Sequence, residues 1–481
     1  MRSPFDLPTA SVKYDCWSSE RQGDKMRKAI FVVQLGFLAF SSIVILTSIY
    51  IAATASTPLP YFDSWIFASP ESGSLSHLLT LHNEHRIAVT RLAFSVDKFL
   101  TNHSGLTQLV GIFIVLITGA GLFARAARLN RTAYIVTLFL ISALFIHGVH
   151  FTNIAWQFQI GFVVAAIVPV FAFYILAGAR SVHRAVVAIM LVLIASQGLA
   201  GGFFSLIPVV LLMVVRGYSK ALIAGICVLG IFYGAWYFNV FAERSAVPAS
   251  IGWDINAGLS LLHRMFVFLG GISGAHITNH FTGVLNFAPL GVVVSLVFGL
   301  TITALIFLAG LRNILSPTIN FYHAHLFCYA CIVFVVANAA AASYGRMSFQ
   351  INEMISSRYL IFSALYMTAA MLLVFVEWRD ALTSRQAAVQ VAAGAAGLLV
   401  LPVMLISQFD RMEQAQIHGW RMSLAEIVAY NGDNEEGWGN YVYPHYDAVS
   451  GLLSYSRVAG DYIFARRYQL TPLEGPVDWR R

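Results

Sequence analysis

The chain has 481 residues, of which 58% are hydrophobic and only 11% charged, and its mean hydropathy is +0.71. Soluble domains carry roughly 25% charged residues, so this composition excludes an ordinary globular protein and defines an all-α polytopic membrane protein. A net charge of +7 would suit nucleic acid or an anionic surface. The basic residues, however, sit in short loops beside apolar runs, which argues against a nucleic-acid partner. Three of the four cysteines (Cys16, Cys227, Cys328 and Cys331) lie inside apolar runs, so they form no disulfide framework. The C-x-x-C spacing of Cys328 and Cys331 on a buried helix indicates packing, not redox chemistry or zinc.

In chain order, residues 1–28 form a polar N-terminal segment, too long and too charged for a cleavable signal peptide. A transmembrane domain at 29–406 and a segment at 407–481 follow. Apolar runs near 29–53, 106–124, 133–150, 159–178, 185–200, 203–216, 220–239, 288–311, 323–343, 359–376 and 387–405 predict about eleven spans, each matched to a hydrocarbon core of roughly 30 Å. The run 259–280 contains His263, Arg264 and closely spaced glycines, and it is expected to be re-entrant or interfacial. The pair 185–216 turns tightly through "QGLAGGF" and reads equally as two short broken helices.

Lys and Arg cluster at 21–28, 125–131, 180–184, 216–220, 312 and 379–385. The positive-inside rule then places the N-terminus in the cytoplasm and the C-terminal segment in the periplasm of a bacterial inner membrane. On this topology the loop 54–105, "HFTNIAWQFQ" (150–159), the glycine turn 198–202, the 240–288 region and "SYGRMSFQINEMISSRY" (343–359) all face outward. The cytoplasmic loops are short and basic, with no phosphate-binding glycine motif.

The first outer loop, 54–105, contains "YFDSWIFASPESGSLSHLLTLHNEHRIAVTRLAF", with Asp63, His82, Glu84, His85, Arg86 and Arg91. Asp63 lies just after Pro58 and Pro60, at the membrane surface, where a carboxylate must be solvated or paired. From Ser74 onward the leucine spacing predicts an amphipathic helix lying on the bilayer. On such a helix His82 and Arg86 share a face with His85 beside them, and Glu84 points away. If that helix is unbroken, the histidines and Glu84 cannot converge on one ion, so no cofactor is assigned, with a divalent metal as the lesser alternative. The expected arrangement is an anion-binding edge of His82, His85 and Arg86.

An acidic residue just after the first span, in an outer loop of amphipathic helices, resembles the GT-C superfamily of membrane glycosyltransferases. The strings "FDSW…LHNEHRI", "NIAWQFQ" and "SSRYL" also resemble a group of uncharacterised bacterial membrane proteins near that superfamily. The resemblance implies a polyprenyl-phosphate-sugar donor, a glycan, lipid or protein acceptor, and catalysis by the early acidic residue. Asp63 lacks the adjacent second acid of the superfamily's best-known pattern.

Such chemistry needs a general base, for which Asp63 is the candidate and Glu84 the second. It needs cations at the departing phosphate, for which Arg86 and Arg358 are candidates and Arg346 a weaker one. Tyr359 flanks Arg358, where snorkelling is the competing explanation. Trp156 and Gln157 suit sugar stacking and hydroxyl recognition, and an interfacial Trp is the plainer alternative. His276 and His280 read as interfacial or cavity-lining histidines. A transporter or flippase of lipid-linked saccharides, or a polysaccharide polymerase or ligase, is the rival class. A transporter would place ionisable groups in mid-span beside broken helices.

Overall fold

A computed structural model describes residues 12–56, 78–82, 85–101, 104–127, 129–238, 255–281, 288–315, 323–379 and 401–418. Apart from one two-stranded ladder, it is a helical bundle. In chain order it has α1 (Val12–Ala55), β1 (Leu81–His82), β2 (His85–Arg86), α2 (Ala88–Thr101), α3 (Leu106–Ala126), α4 (Arg131–Ile146), α5 (Phe151–Ala155), α6 (Ile160–Leu176) and α7 (Val182–Ser196). The second half has α8 (Ala200–Phe203), α9 (Leu206–Val215), α10 (Lys220–Tyr237), α11 (Ile255–Leu269), α12 (Gly271–Phe281), α13 (Ala288–Leu315), α14 (His323–Gly345) and α15 (Leu360–Arg379). A last helix, α16, runs through 401–418. It continues past 405, where the final span was expected to end; the rest of that span, 387–400, lies outside the described residues.

Among the described residues, seven helices are long and apolar enough to cross a membrane, and three shorter apolar helices match the remaining expected runs at 185–200, 203–216 and 359–376. The chain is therefore a multi-pass membrane protein by helix length and composition. The 259–280 run is a broken element: α11 and α12 meet at Gly270 with a bend of 71°.

Lipid tails are as apolar as leucine, so helix packing here relies on close contact more than on burial of apolar surface. α6 lies at the centre, against α3, α7 and α14, with 72% of its most apolar window buried. Only 17% is buried for the peripheral spans of α1, α10 and α13. Phe173 of α6 meets Phe334 of α14 edge-on at 5.6 Å, and Phe123 of α3 lies 4.9 Å from Phe327. Cys328 and Cys331 are free, buried thiols within this packing.

Small residues allow the tightest approaches. A methyl group on Gly161 would lie 2.7 Å from the Gly198 carbonyl, which brings the start of α6 onto the end of α7. On Gly270 or Gly274 it would overlap the Ser295 or Gly291 carbonyl, so glycine is what lets the broken element lie on α13.

The first loop contains an amphipathic helix, as its sequence predicts, but the expected helix is interrupted: residues 78–79 are helical, and helix resumes only at Ala88. α2 buries Ala88, Thr90, Arg91 and Asp97 and exposes Leu92, Val96, Phe99 and Leu100, with Phe99 88% accessible. The helix expected to run unbroken from Ser74 through Leu92 does not form. A bend at Thr80 precedes an antiparallel ladder pairing Leu81 with Arg86 and His82 with His85. His82 and Arg86 therefore do not share a helix face.

Candidate functional site

The ladder replaces a helix because two arginines take the carbonyls that a continued helix would use. Arg86 donates to Leu79 O, and Arg91 donates through Nη1 to Thr80 O at 2.6 Å and Leu78 O at 3.3 Å. Arg86 also ties the ladder to the end of α10. Its Nη2 donates to Trp236 O at 3.0 Å, its Nε to Tyr237 O at 3.3 Å, and its guanidinium lies 3.9 Å from the Trp236 ring centre. The Tyr237 hydroxyl accepts from the Arg86 main-chain N–H at 3.2 Å. The last carbonyls of a helix have no internal donor and carry its negative dipole end, so a buried guanidinium there satisfies both demands. The geometry gives Arg86, assigned from sequence to phosphate, the role of a clasp. Burial pulls the Arg91 guanidinium below its usual value.

Asp97 is a buried carboxylate of the same loop. It accepts from Gly105 N at 2.8 Å, Thr107 N at 3.0 Å and the Thr101 hydroxyl at 2.6 Å. It thus caps the start of α3 and is fully engaged there. Asp63 and Glu84, the candidate bases, lie outside the described residues.

The turn 151–159 joins the first loop to the 343–359 loop. On one flank, His82 meets Phe158 edge-on at 5.9 Å, and Trp156 stacks on Phe158 at 5.1 Å. The Gln157 amide donates to the Ser56 hydroxyl at 2.9 Å and sits over Gly105, whose φ of 77° and lack of a Cβ leave it room. His85 stands opposite His82 in the ladder. On the other flank, Asn153 Nδ2 donates to Ser357 O at 2.9 Å and Arg358 O at 3.4 Å, and the Thr152 and Ser357 hydroxyls lie 2.6 Å apart. The segments expected to face outward thus meet at one end of the bundle. Val89 N–H, donating to Gln197 O at 3.1 Å, adds the glycine turn to this group.

At that end three guanidinium groups surround one loop. Arg264 of α11 donates to Arg346 O at 3.1 Å and Phe349 O at 2.8 Å, fixing the loop's course. Arg346 lies 4.8 Å from the Phe349 ring centre and 6.0 Å from that of Tyr359, and Arg358 lies 5.2 Å from Tyr359 on its own account. Arg358 also pairs with Glu353 at 3.6 Å, with the side chains 31% and 41% exposed. A pair this open is worth about 0–1 kcal/mol, so an incoming anion can compete for Arg358.

His276, expected from the sequence to be interfacial or cavity-lining, is buried in a cluster whose other members the sequence did not single out. "HGVH", 147–150, closes α4, and His147 packs edge-on against His276 of α12 with ring centres 4.6 Å apart. His147 Nε2 donates to Met404 O at 3.0 Å, and its Nδ1 accepts from Val149 N at 3.1 Å. His150 Nε2 donates to Leu144 O at 3.0 Å. Gln408 of α16 accepts from Gly148 N at 2.7 Å and donates to Thr47 and Ser48 of α1 at 2.8 and 3.1 Å. Arg411 packs against Gly148 one turn further on. Two histidines three residues apart at the end of an apolar run are the one local signal for this cluster.

Among the described residues, no group of three His, Cys, Asp or Glu side chains is placed to hold a metal ion. Fold and site define a multi-pass helical membrane protein with a polar, arginine-rich end above a buried histidine cluster. No protein-family model, no curated protein and no solved structure matches the chain.

Proposed function

We propose that the protein is a GT-C-like membrane glycosyltransferase, moving a sugar from a polyprenyl-phosphate donor to a glycan, lipid or protein acceptor on the periplasmic face of the bacterial inner membrane. The observation that carries this reading is the pairing of Arg346 and Arg358 around Tyr359, beside the 151–159 turn onto which the first loop also packs. Guanidinium groups make paired hydrogen bonds to phosphate, and Arg358 is released from Glu353 at little cost.

In the proposed reaction the acceptor hydroxyl attacks the anomeric carbon, its proton passes to a carboxylate, and the lipid phosphate leaves with the bonding electrons. Asp63 is the proposed base and Glu84 the second candidate. The rim arginines stabilise the charge developing on the phosphate. Arg86 holds the loop that carries both acids, and Trp156 and Gln157 border the sugar. The test is a transfer assay on membranes carrying Asp63→Asn: a correctly inserted but inactive protein supports the mechanism, and a fully active one removes Asp63 from it.

A second reading has its own observation. The 71° break between α11 and α12, next to buried His147 and His276, is the pattern expected of a transporter of lipid-linked saccharides. Saccharide moved across vesicles without any bond being broken would favour it.

A further inference from the structure

Two turns are locked together at the end of the bundle opposite the arginine rim. α6 begins beside the 151–159 turn, so its far end and the start of α7 lie away from the rim. Arg180 and Arg184 stand where α6 passes into α7, and Arg216 and Lys220 where α9 passes into α10. Buried Tyr218 joins the two: its hydroxyl accepts from Ser181 N at 3.1 Å and donates to Ser181 O at 3.0 Å. The Arg180 guanidinium lies 5.8 Å from the Tyr218 ring centre. Arg184 folds back over the first turn, its Nη1 donating to Ala179 O at 3.2 Å. Arg216 and Lys220 flank Tyr218 by two residues on either side.

Four positive charges thereby share one corner. Arg180, Arg184 and Lys220 are exposed and Arg216 is half-buried. None of them pairs with a carboxylate among the described residues, and the sequence has no Asp or Glu between Asp97 and Glu243. The positive-inside rule accounts for basic residues near span ends. It does not call for a buried tyrosine that fastens two basic turns into one surface. Guanidinium groups with donors to spare and no protein counter-ion suit a phosphate.

A line of exposed apolar side chains leaves the same corner. Val182, Val186, Met190 and Ile194 recur every fourth residue along α7, on one helix face. In a chain that crosses a membrane, such a face lies against acyl chains. A phosphate with acyl tails fits both features, whereas a free anion fits only the first. Basic surfaces where helices enter the headgroup layer are suited to acidic lipid headgroups.

We propose that Arg180, Arg184, Arg216 and Lys220, fixed around Tyr218, form a binding site for the headgroup of an anionic phospholipid whose acyl chains lie along α7. The site stands apart from the transfer chemistry above and does not depend on it. The test is native mass spectrometry of the purified, delipidated full chain in detergent. It is titrated with phosphatidylglycerol, phosphatidylethanolamine or phosphatidylcholine, with sn-glycerol 3-phosphate as a competitor without acyl chains.

Phosphatidylglycerol is expected to give saturable adducts at concentrations where the zwitterionic lipids give none, and glycerol phosphate should not displace it. Arg180→Gln with Arg184→Gln, and separately Arg216→Gln with Lys220→Gln, should weaken retention by about fivefold for each charge removed. These two variants alter different turns, so misfolding of one leaves the other as the test. Tyr218→Phe should weaken retention although it changes no charge, and Arg346→Ala at the far end should leave it unchanged. Equal adducts with zwitterionic lipid, retention that survives both charge variants, or displacement by glycerol phosphate overturns the proposal. Loss in the charge variants with Tyr218→Phe unchanged would mean diffuse attraction to a basic surface and overturns the site. Loss in Arg346→Ala alone would place the lipid at the rim and overturns it as well.

Discussion

Arg86 and Arg91 together hold the successive carbonyls of Leu78, Leu79 and Thr80, one arginine on the middle carbonyl and the other on its two neighbours. Arg86 at the same time caps α10 through Trp236 O and Tyr237 O. The loop between α1 and α3 is thereby fastened to a helix about 150 residues further along the chain.

Removing that clasp leaves buried carbonyls without donors, at about 1–3 kcal/mol for each group exposed to the loss. Arg86→Met is expected to raise amide exchange across 78–91 and at the end of α10 while the spans stay protected. Arg86→Lys should not restore protection, because one ammonium cannot fork between carbonyls on two segments. Hydrogen exchange read by mass spectrometry checks both; unchanged exchange in Arg86→Met would contradict the clasp.

Gly274→Ala drives a methyl group into the Gly291 carbonyl and the Ser295 side chain, and the expected loss is about 1–3 kcal/mol. Gly258→Ala, with nothing within 4 Å of the added methyl, should be neutral or stabilising by about 0.5–1 kcal/mol. Thermal unfolding of the two variants in nanodiscs gives the comparison, and equal melting behaviour would mean that α12 does not lie against α13.

Glu353→Gln removes the carboxylate from Arg358. A half-exposed pair is worth no more than about 1 kcal/mol, so the melting point should barely move. On the proposed function, retention of a polyprenyl phosphate should instead rise, most clearly at low salt. Weaker retention would mean that Glu353 positions Arg358 and does not compete for it.

The spans were legible because an apolar run long enough to cross a bilayer needs no partner to be recognised. Where the runs were short, as at 185–200 and 203–216, the structure has short helices joined through Gly198. The glycines of 259–280 marked the break at Gly270, since that position touches the α13 backbone. The ladder at 81–86 was not legible: local leucine spacing favours a helix, and what overrides it is Arg86 and Arg91 on the carbonyls of 78–80, with Arg86 held in place by Trp236 and Tyr237 of α10. The histidine cluster was hidden for the same reason. His276 and Gln408 reach "HGVH" from distant parts of the chain. Among the expected site residues, Arg358, Tyr359, Trp156, Gln157, His82 and His85 border one turn or its neighbours, and Arg86 proved to be a fastening. Asp63 and Glu84 lie outside the described residues.

The most direct measurement of the central claim is photo-crosslinking in native membranes with a photoreactive polyprenyl phosphate, applied to wild type, Arg346→Ala and Arg358→Ala. Labelling is expected to map to the 343–359 loop and the 151–159 turn and to fall in both variants while insertion is unchanged. Equal labelling in all three proteins, or no labelling of intact wild type, would contradict a lipid-phosphate site at this rim.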